Sequence, residues 1–312
     1  MNPLIILTGP TAVGKTELSL ELAQRVNAEI VSADSMQVYK YMDIGTAKPS
    51  LKERESVPHH LLDLVRPDQD FSVADYQRHF QQTVNSIYDR GKLPLLTGGT
   101  GLYIRACIQG FDLEPGGPLP SLRRELKEQI EEYGPQYLYQ RLLTVDPEAA
   151  EKIHPNDQRR VIRALEVFLS TGAPISKLQR NRSSNYQFKL IYIFLNRDRD
   201  ELYRRIEDRV EQMIEAGLVE EVNSLIKKGF SPQLKPMQSL GYKQISNYLF
   251  QNFSLEEAIT SIKQETRRYA KRQLTWFRRE PIDYAVTITG DSQEFFGDIL
   301  NYIEGRLGND VE

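Results

Sequence analysis

Near its start the chain reads Gly9-Pro10-Thr11-Ala12-Val13-Gly14-Lys15-Thr16. This stretch matches G-x-x-x-x-G-K-T, the pattern of a phosphate-binding P-loop. The apolar run 4–7 before it is typical of a buried parallel strand, and the apolar spacing over 17–23 after it is typical of a helix. A strand, a glycine-rich turn and a helix in this order predict a site for a phosphate compound at the edge of a sheet.

Each residue type in this loop has a physical reason. The glycines let backbone N–H groups point inward at an anion, and the following helix N-terminus adds unpaired donors. Lys15 supplies a positive charge for terminal phosphate oxygens, and the Thr16 hydroxyl suits Mg²⁺. We therefore predict that residues 9–16 bind phosphate and that Thr16 holds the metal. The motif leaves open which phosphate compound binds.

The composition is that of an ordinary globular protein. The chain has 312 residues, 40% of them apolar and 27% charged, which allows one large or two modest domains. A single cysteine excludes an internal disulfide, and no apolar run is as long as a membrane span. With no signal-peptide pattern either, we expect a cytoplasmic protein without a membrane partner. The net charge of −3 means that any nucleic-acid binding must come from local basic patches.

A carboxylate follows the second predicted strand. The run 29–33 reads as a parallel strand and leads into Asp34-Ser35-Met36-Gln37. Because ligands bind at the carboxyl ends of parallel strands, Asp34 is expected to face the P-loop. It could act as a general base or position Mg²⁺ through water. The alternative is an aspartate that only caps a turn. In the loop that follows, Lys48 could reach a phosphate or remain in solvent.

A second glycine-rich turn follows the third predicted strand. The run 93–97 leads into Gly98-Gly99-Thr100-Gly101. Glycines here would let a ligand approach the backbone closely, and Thr100 could hydrogen-bond to that ligand. The alternative is a tight turn that only joins a strand to a helix.

The middle of the chain changes character. Helical patterns fill 121–172 without a convincing strand, after a breaker-rich segment at 114–120. The strand pattern returns at 188–195 and leads into a helix containing Arg204, Arg205 and Arg209. One of these arginines could close over a phosphate, and a solvated helix face is the alternative. We predict an α/β fold with a P-loop NTPase-like parallel sheet flanked by helices and an all-helical insertion domain. The core would comprise 1–112 and 186–312, and the insertion 113–185.

The C-terminal third contains a basic helix. Ser254 and Glu257 form a capping box, and apolar spacing over 255–277 predicts a buried stripe. From Arg267 to Arg279 there is no acidic residue, and aromatic side chains lie among the cationic ones. Such a helix suits an RNA backbone, and its aromatics could stack on an unpaired base. A solvated charged face is the alternative.

Together these features resemble the tRNA dimethylallyltransferases, also called tRNA isopentenyltransferases. The resemblance runs in family order from residue 3 to about 280, and the residues after that match no motif. The stretches that carry it are Gly9–Thr16, Asp34–Tyr39, Asp43–Pro49, Gly98–Tyr103, His154–Asp157, Arg163–Val167, Gly241–Lys243 and Thr266–Arg278.

The resemblance implies transfer of a dimethylallyl group from dimethylallyl diphosphate to the exocyclic N6 amine of the adenosine just 3′ of the anticodon in tRNA. Diphosphate is released, and the P-loop with Mg²⁺ holds the isoprenoid diphosphate instead of ATP. It also implies catalytic roles for three residues. Asp34 would accept the proton of the amine, Thr100 would position the amine, and Arg209 would stabilise charge on the diphosphate.

The same resemblance implies that the partner is a tRNA anticodon stem-loop, bound by a monomer with the adenosine out of its stack. The residues expected at the tRNA are Asp34, Ser35, Met36, Gln37, Thr100, Arg123, Gln158, Arg159, Arg160, Val161, Ile162, Gly241, Tyr242, Lys243, Lys271, Arg272, Gln273, Leu274, Thr275, Trp276, Phe277 and Arg278.

Three other functions share part of this pattern. A nucleoside or nucleotide kinase would use the same P-loop, metal and carboxylate, but it does not explain the basic helix. An adenylate isopentenyltransferase resembles the N-terminal part and needs no long RNA-binding region. A P-loop RNA-binding regulator would need no Asp34 facing the site.

Overall fold

The computed structural model describes residues 1–109, 119–180, 188–251, 253–290 and 293–308. The chain forms two compact units, Met1–Ile108 with Tyr186–Glu312, and Gln109–Asn185. The predicted domain boundaries at 112/113 and 185/186, and most of the breaker-rich segment, lie outside or at the edge of the described residues.

The larger unit is built on a six-stranded sheet in the order β3-β2-β4-β1-β5-β6, and every pairing among these strands is parallel. The predicted parallel sheet is therefore confirmed. The strands are β1 Pro3–Thr8, β2 Ala28–Ala33, β3 His59–His60, β4 Leu93–Gly98, β5 Lys189–Arg197 and β6 Tyr284–Ile288.

Helices fill most of the rest of the described chain. In chain order they are α1 Lys15–Arg25, α2 Leu51–Ser56, α3 Val73–Asp89, α4 Gly101–Gln109, α5 Pro120–Tyr133, α6 Pro135–Val145, α7 Pro147–Lys152, α8 Gln158–Thr171, α9 Ile175–Arg180, α10 Arg199–Glu215, α11 Leu218–Lys227, α12 Tyr242–Phe250, α13 Leu255–Phe277 and α14 Gln293–Gly308. None of these described helices is both long and apolar enough to cross a membrane.

Strand β1 shows why the sheet is covered on both faces. Leu4 and Ile6 pack into one apolar layer, which also contains side chains of α3 and α13. Ile5 and Leu7 pack into a second layer with side chains of α1, α10 and α14. A strand buried on both faces is expected to be a nearly continuous apolar run, as residues 4–7 of β1 are. The capping box of Ser254 at the start of α13 is also confirmed.

The smaller unit consists of helices α5–α9 in its described part, which confirms the all-helical insertion. Its core contains Leu126, Leu138 and Leu165. The fully buried Glu166 accepts hydrogen bonds from Leu119 N and from the guanidinium groups of Arg123 and Arg163, at 2.8–3.0 Å. Burial opposes ionisation, but these hydrogen bonds outweigh it and lower the pKa of Glu166. The carboxylate thus fastens the start of α5 to α8.

Candidate active site

The P-loop joins β1 to α1 and has a positive backbone φ at three residues, Gly9, Ala12 and Gly14. Gly14, the N-cap of α1, has φ +109°, and Ala12 has φ +64° without being a glycine. Side chains from distant elements hold the loop from outside. Arg205 Nε donates to Ala12 O, and Arg197 Nε donates to Val13 O, each at 3.0 Å. Tertiary contacts therefore support the loop at Ala12 and Val13.

Lys15 lies at the base of this loop. Its ammonium donates to Gly9 O at 3.0 Å and to Pro10 O at 2.7 Å. An ammonium has three donors, so one remains for an anion in the adjoining cavity. Burial and then repulsion from Arg209 lower the pKa of Lys15 to about 7, while the charge of Asp34 acts in the opposite direction. Two neighbouring cations facing one carboxylate form a site suited to a polyanion.

Two cavities meet beside the loop. The first, the P-loop cavity, has a volume of about 390 Å³ and is lined by loop residues including Lys15 and Thr16. The second cavity has a volume of about 660 Å³ and is lined in part by α12 and α13. The residues that line both are Thr11, Asp34, Thr46, Arg209 and Tyr269. The side chains predicted to be a base and a phosphate ligand, Asp34 and Arg209, thus lie where the cavities meet.

Asp34 directly follows β2, as the sequence predicted. Its Oδ1 accepts hydrogen bonds from Met36 N at 2.8 Å and from Gln37 N at 3.4 Å, which caps the turn. Oδ2 has no hydrogen-bond partner among the described residues. The two interpretations of this aspartate are therefore compatible, because one oxygen fixes the turn and the other is available at the cavities.

Thr100 lies behind Asp34. Its hydroxyl oxygen accepts a hydrogen bond from Ser35 N at 3.1 Å, and Thr100 N donates to Ala33 O at 3.1 Å. Unlike Asp34 and Arg209, it is not among the residues that line the two cavities. In this structure Thr100 supports the turn that carries Asp34, and its contact with an amine remains a prediction.

The loop that brings Thr46 to the cavities is held by a residue that the sequence did not single out. Glu221 of α11 accepts hydrogen bonds from the backbone N–H groups of residues 43–45 at 2.8–3.2 Å and from the Tyr242 hydroxyl at 2.5 Å. Lys48 turns away from the P-loop cavity and pairs with Asp43 and Asp63 at 2.8 and 2.6 Å. The interpretation of Lys48 as a phosphate ligand is therefore not supported.

Residues 98–101 form the second glycine-rich turn, and it packs against protein. A Cβ on Gly98 would lie 2.3 Å from Ala33 O, one on Gly99 would lie 2.2 Å from Gln273 Nε2, and one on Gly101 would lie 2.1 Å from Trp276 Nε1. Gly98 and Gly99 border the P-loop cavity, but the space that their missing side chains leave is filled by β2 and α13. These glycines are therefore required for packing, and the approach of a ligand to the backbone of Gly98 and Gly99 remains a prediction.

Comparison with known proteins identifies the family of this chain. Residues 37–280 match the family model described as IPP transferase. This chain belongs to the IPP transferase family.

Curated relatives match this IPP transferase over nearly its whole length. A protein of Natranaerobius thermophilus named tRNA dimethylallyltransferase is 49% identical over 97% of this chain and 92% of its own length. A protein of the same name from Carboxydothermus hydrogenoformans is 52% identical over 89% of each.

Solved structures match it as well. The full-length tRNA isopentenylpyrophosphate transferase of Bacillus halodurans is 44% identical, with a TM-score of 0.74 and coverage of 99% of this chain and 98% of that one. A eukaryotic dimethylallyltransferase, solved acting on tRNA, is 31% identical with a TM-score of 0.84 and coverage of 98% and 80%.

The basic helix of this IPP transferase presents only part of its predicted tRNA contacts to solvent. Lys271, Arg272, Thr275 and Arg278 are exposed, and Leu274 and Trp276 are half-buried. Gln273 and Phe277 are buried, and so is Tyr242 of α12. The helix is amphipathic, so a continuous stretch of sequence necessarily includes core positions. Side-chain contact of Gln273, Tyr242 and Phe277 with tRNA is therefore excluded in this conformation.

The same correction applies to the insertion. Gln158, Arg159 and Arg160 are exposed at the start of α8, whereas Val161 and Ile162 are 1% and 8% exposed and belong to the core of this unit. Arg123 remains 43% exposed although its Nε pairs with Glu166 at 2.7 Å. Of the predicted contacts at the second cavity, Ser35, Met36, Gly241 and Lys243 line it, while Gln37 lines the P-loop cavity.

Proposed function

We propose that this IPP transferase moves the dimethylallyl group of dimethylallyl diphosphate to the N6 amine of the adenosine 3′-adjacent to the anticodon of tRNA and releases diphosphate. The observation that carries the proposal is that Asp34 and Arg209 line both cavities. A leaving group in the P-loop cavity and a nucleophile in the second cavity would then meet at one carboxylate and one guanidinium.

The P-loop cavity would stabilise the leaving group. As the C1–O bond of the donor breaks, its electron pair passes to the diphosphate oxygen. Lys15 and Arg209 are placed to bind this developing charge, and preorganised cations in a partly closed site act most strongly on charge that forms in the transition state. Burial, and then repulsion from Arg209, lower the pKa of Lys15, and a bound anion would offset the repulsion.

Asp34 would act on the nucleophile. The N6 amine forms its bond to C1 while its proton becomes acidic, and Asp34 Oδ2 accepts that proton. The amine releases this proton only as its bond to C1 forms. Oδ1 meanwhile remains bound to Met36 N, which fixes the orientation of the carboxylate.

Mg²⁺ fits the oxygen chemistry of this site. The Thr16 side chain lines the P-loop cavity, and a hydroxyl together with diphosphate oxygens and water is a ligand set that Mg²⁺ accepts. Among the described residues no group of three or more His, Cys, Asp or Glu side chains could hold a metal. When bound, the ion would neutralise negative charge on the diphosphate. We assign Thr16 as its protein ligand.

The tRNA would contact the exposed cations. Lys271, Arg272 and Arg278 on α13 and Arg159 and Arg160 on α8 are exposed and suited to backbone phosphates. Arg272 and Lys243 also line the second cavity, where an adenosine that has left its stack would enter. We further propose that the protein is cytoplasmic and monomeric. Light scattering of the free protein and of its stem-loop complex would test the monomeric state.

Radiolabel transfer tests the reaction. The protein is incubated with Mg²⁺, labelled dimethylallyl diphosphate and an unmodified anticodon stem-loop, in parallel with free AMP and with labelled ATP. We expect label in the stem-loop alone. Label in AMP would favour an adenylate isopentenyltransferase, and phosphate transfer from ATP without prenyl transfer would favour a kinase.

Replacing Asp34 tests its role. Asp34→Asn keeps an oxygen for the cap on Met36 N but cannot accept a proton, so kcat should fall by about 10²- to 10⁴-fold. The affinity for the stem-loop, measured by filter binding, should stay within about twofold because the fold and the cationic surface are unchanged. Near-normal turnover in this variant would rule out Asp34 as the base.

A further inference from the structure

One side chain of α13 joins the two glycine-rich turns. Gln273 is 5% exposed, and its carboxamide is hydrogen-bonded at both ends. Oε1 accepts from Thr11 N of the P-loop at 2.9 Å, and Nε2 donates to Gly99 O at 3.0 Å. An amide offers one acceptor and one pair of donors in fixed geometry, so a single planar group spans the two backbones.

Other residues of α13 contact the second turn beside this bridge. Tyr269, one helical turn earlier, lines both cavities next to this bridge. Trp276 packs so closely on Gly101 that a Cβ there would lie 2.1 Å from its indole nitrogen. Lys271 and Arg272, which lie between Tyr269 and Trp276 in the sequence, are exposed. One face of α13 therefore packs against the site, and the other carries exposed cations.

We propose that Gln273 is a positioning residue that couples occupancy of the P-loop to the RNA-facing helix α13. The inference rests on the proposed function and adds a structural connection between the diphosphate site and the tRNA site. A shift of Thr11 when an anion binds is transmitted through the carboxamide to α13 and to Gly99. Coupling between two binding sites is reciprocal, so RNA on α13 changes the affinity of the P-loop by the same factor.

Only a glutamine satisfies both partners at this position. Glutamate would still accept from Thr11 N, but it would place a second acceptor against Gly99 O. Leucine has a similar size and would leave both backbone groups unpaired in a buried environment. Gln264 lies on the same helix and is exposed, which makes Gln264→Leu a matched control for the helix and for the chemical change.

Trp276 is the only tryptophan of the chain and reports on the junction directly. The probe is inorganic pyrophosphate with Mg²⁺, titrated into the full-length protein with and without the anticodon stem-loop. Trp276 emission and the calorimetric Kd are measured. In the wild type and in Gln264→Leu we expect pyrophosphate to change the emission and the stem-loop to change the pyrophosphate Kd by about tenfold.

In Gln273→Leu the emission response should disappear and the Kd should become independent of the stem-loop. An unchanged emission response and an unchanged coupling factor in this variant would overturn the proposal, and so would a wild-type Kd that is independent of the stem-loop. If circular dichroism shows that Gln273→Leu has lost helix, Gln273→Glu is measured in its place.

Radiolabel transfer by the wild type separates this inference from the proposed function. Transfer without coupling would overturn only the role of Gln273. Absence of transfer would overturn the assigned reaction, whatever the emission shows.

Discussion

Two glycine-rich turns follow neighbouring strands of the same sheet, and they use glycine for different purposes. At Gly14, which follows β1, a Cβ would have no heavy atom nearer than 3.8 Å, and the glycine serves its left-handed φ of +109°. At Gly99 and Gly101, which follow β4, a Cβ would lie 2.2 and 2.1 Å from side-chain atoms of α13. Gly14 allows a left-handed backbone conformation, whereas Gly99 and Gly101 allow α13 to pack closely on the turn.

The comparison shows that glycine alone does not tell a ligand from a protein neighbour. What distinguishes the P-loop is Lys15, which lines the cavity that Gly98 and Gly99 of the second turn also border. What distinguishes the second turn is the buried amide and indole packed on it. Substitutions in the two turns should therefore affect different quantities, ligand binding in the first and stability in the second.

The largest expected effect is on the ligand side. Lys15→Met removes a cation that faces the P-loop cavity, and kcat/KM for dimethylallyl diphosphate should fall by about 10³-fold, as for loss of a preorganised donor. Two effects on stability oppose each other, because the variant loses the hydrogen bonds to Gly9 O and Pro10 O but also removes a buried charge that Arg209 repels. Steady-state kinetics and thermal denaturation measure both. A decrease in kcat/KM of less than about tenfold would contradict a role in diphosphate binding.

A smaller effect is expected on the packing side. Gly101→Ala forces Trp276 or the turn to move, which should lower the free energy of unfolding by about 1–3 kcal/mol. Gly297→Ala is the control, because this glycine lies within α14 and has no atom near its Cβ position, so alanine should stabilise by about 0.5–1 kcal/mol. Urea denaturation measures both variants. A Gly101→Ala protein of full stability that fails to bind pyrophosphate would instead make this turn a ligand site.

The smallest expected effect is a pH dependence confined to the P-loop. The pKa of Lys15 in the free protein is lowered to about 7, and a bound diphosphate would raise it. The contribution of this charge to binding is then complete below pH 7 and declines by up to about tenfold per pH unit above it, until the pKa of the complex is reached. Calorimetric titration with pyrophosphate from pH 6.5 to 9 measures this slope. A slope that persists in Lys15→Met would assign it to another group.

Much of the site was predictable because its signals are local. The P-loop directly follows β1, and Asp34 directly follows β2. Because ligands bind at the carboxyl ends of parallel strands, both features could be assigned to the site from the sequence. Glu221 was not predictable, because its partners at 43–45 lie more than 170 residues away in the chain. The burial of Val161 and Ile162 was missed because a continuous motif was treated as a continuous surface.

The end of the chain shows the same limit. Residues after about 280 match no motif, yet β6 extends the sheet and Ile299 and Ile303 of α14 are fully buried in the second apolar layer. A short edge strand and a terminal helix acquire their meaning from the surface on which they pack, and that surface is formed by distant residues.

Local sequence patterns predict the phosphate loop, the carboxylate beside it, the parallel sheet and the helical insertion, because each pattern lies within a short stretch of chain. The packing of distant elements brings Asp34 and Arg209 to both cavities, places Gln273 between Thr11 and Gly99, and leaves some cations of α13 exposed. These features depend on the rotation of helices against the sheet. That rotation is fixed by the packing of side chains far apart in sequence, so local patterns cannot contain it.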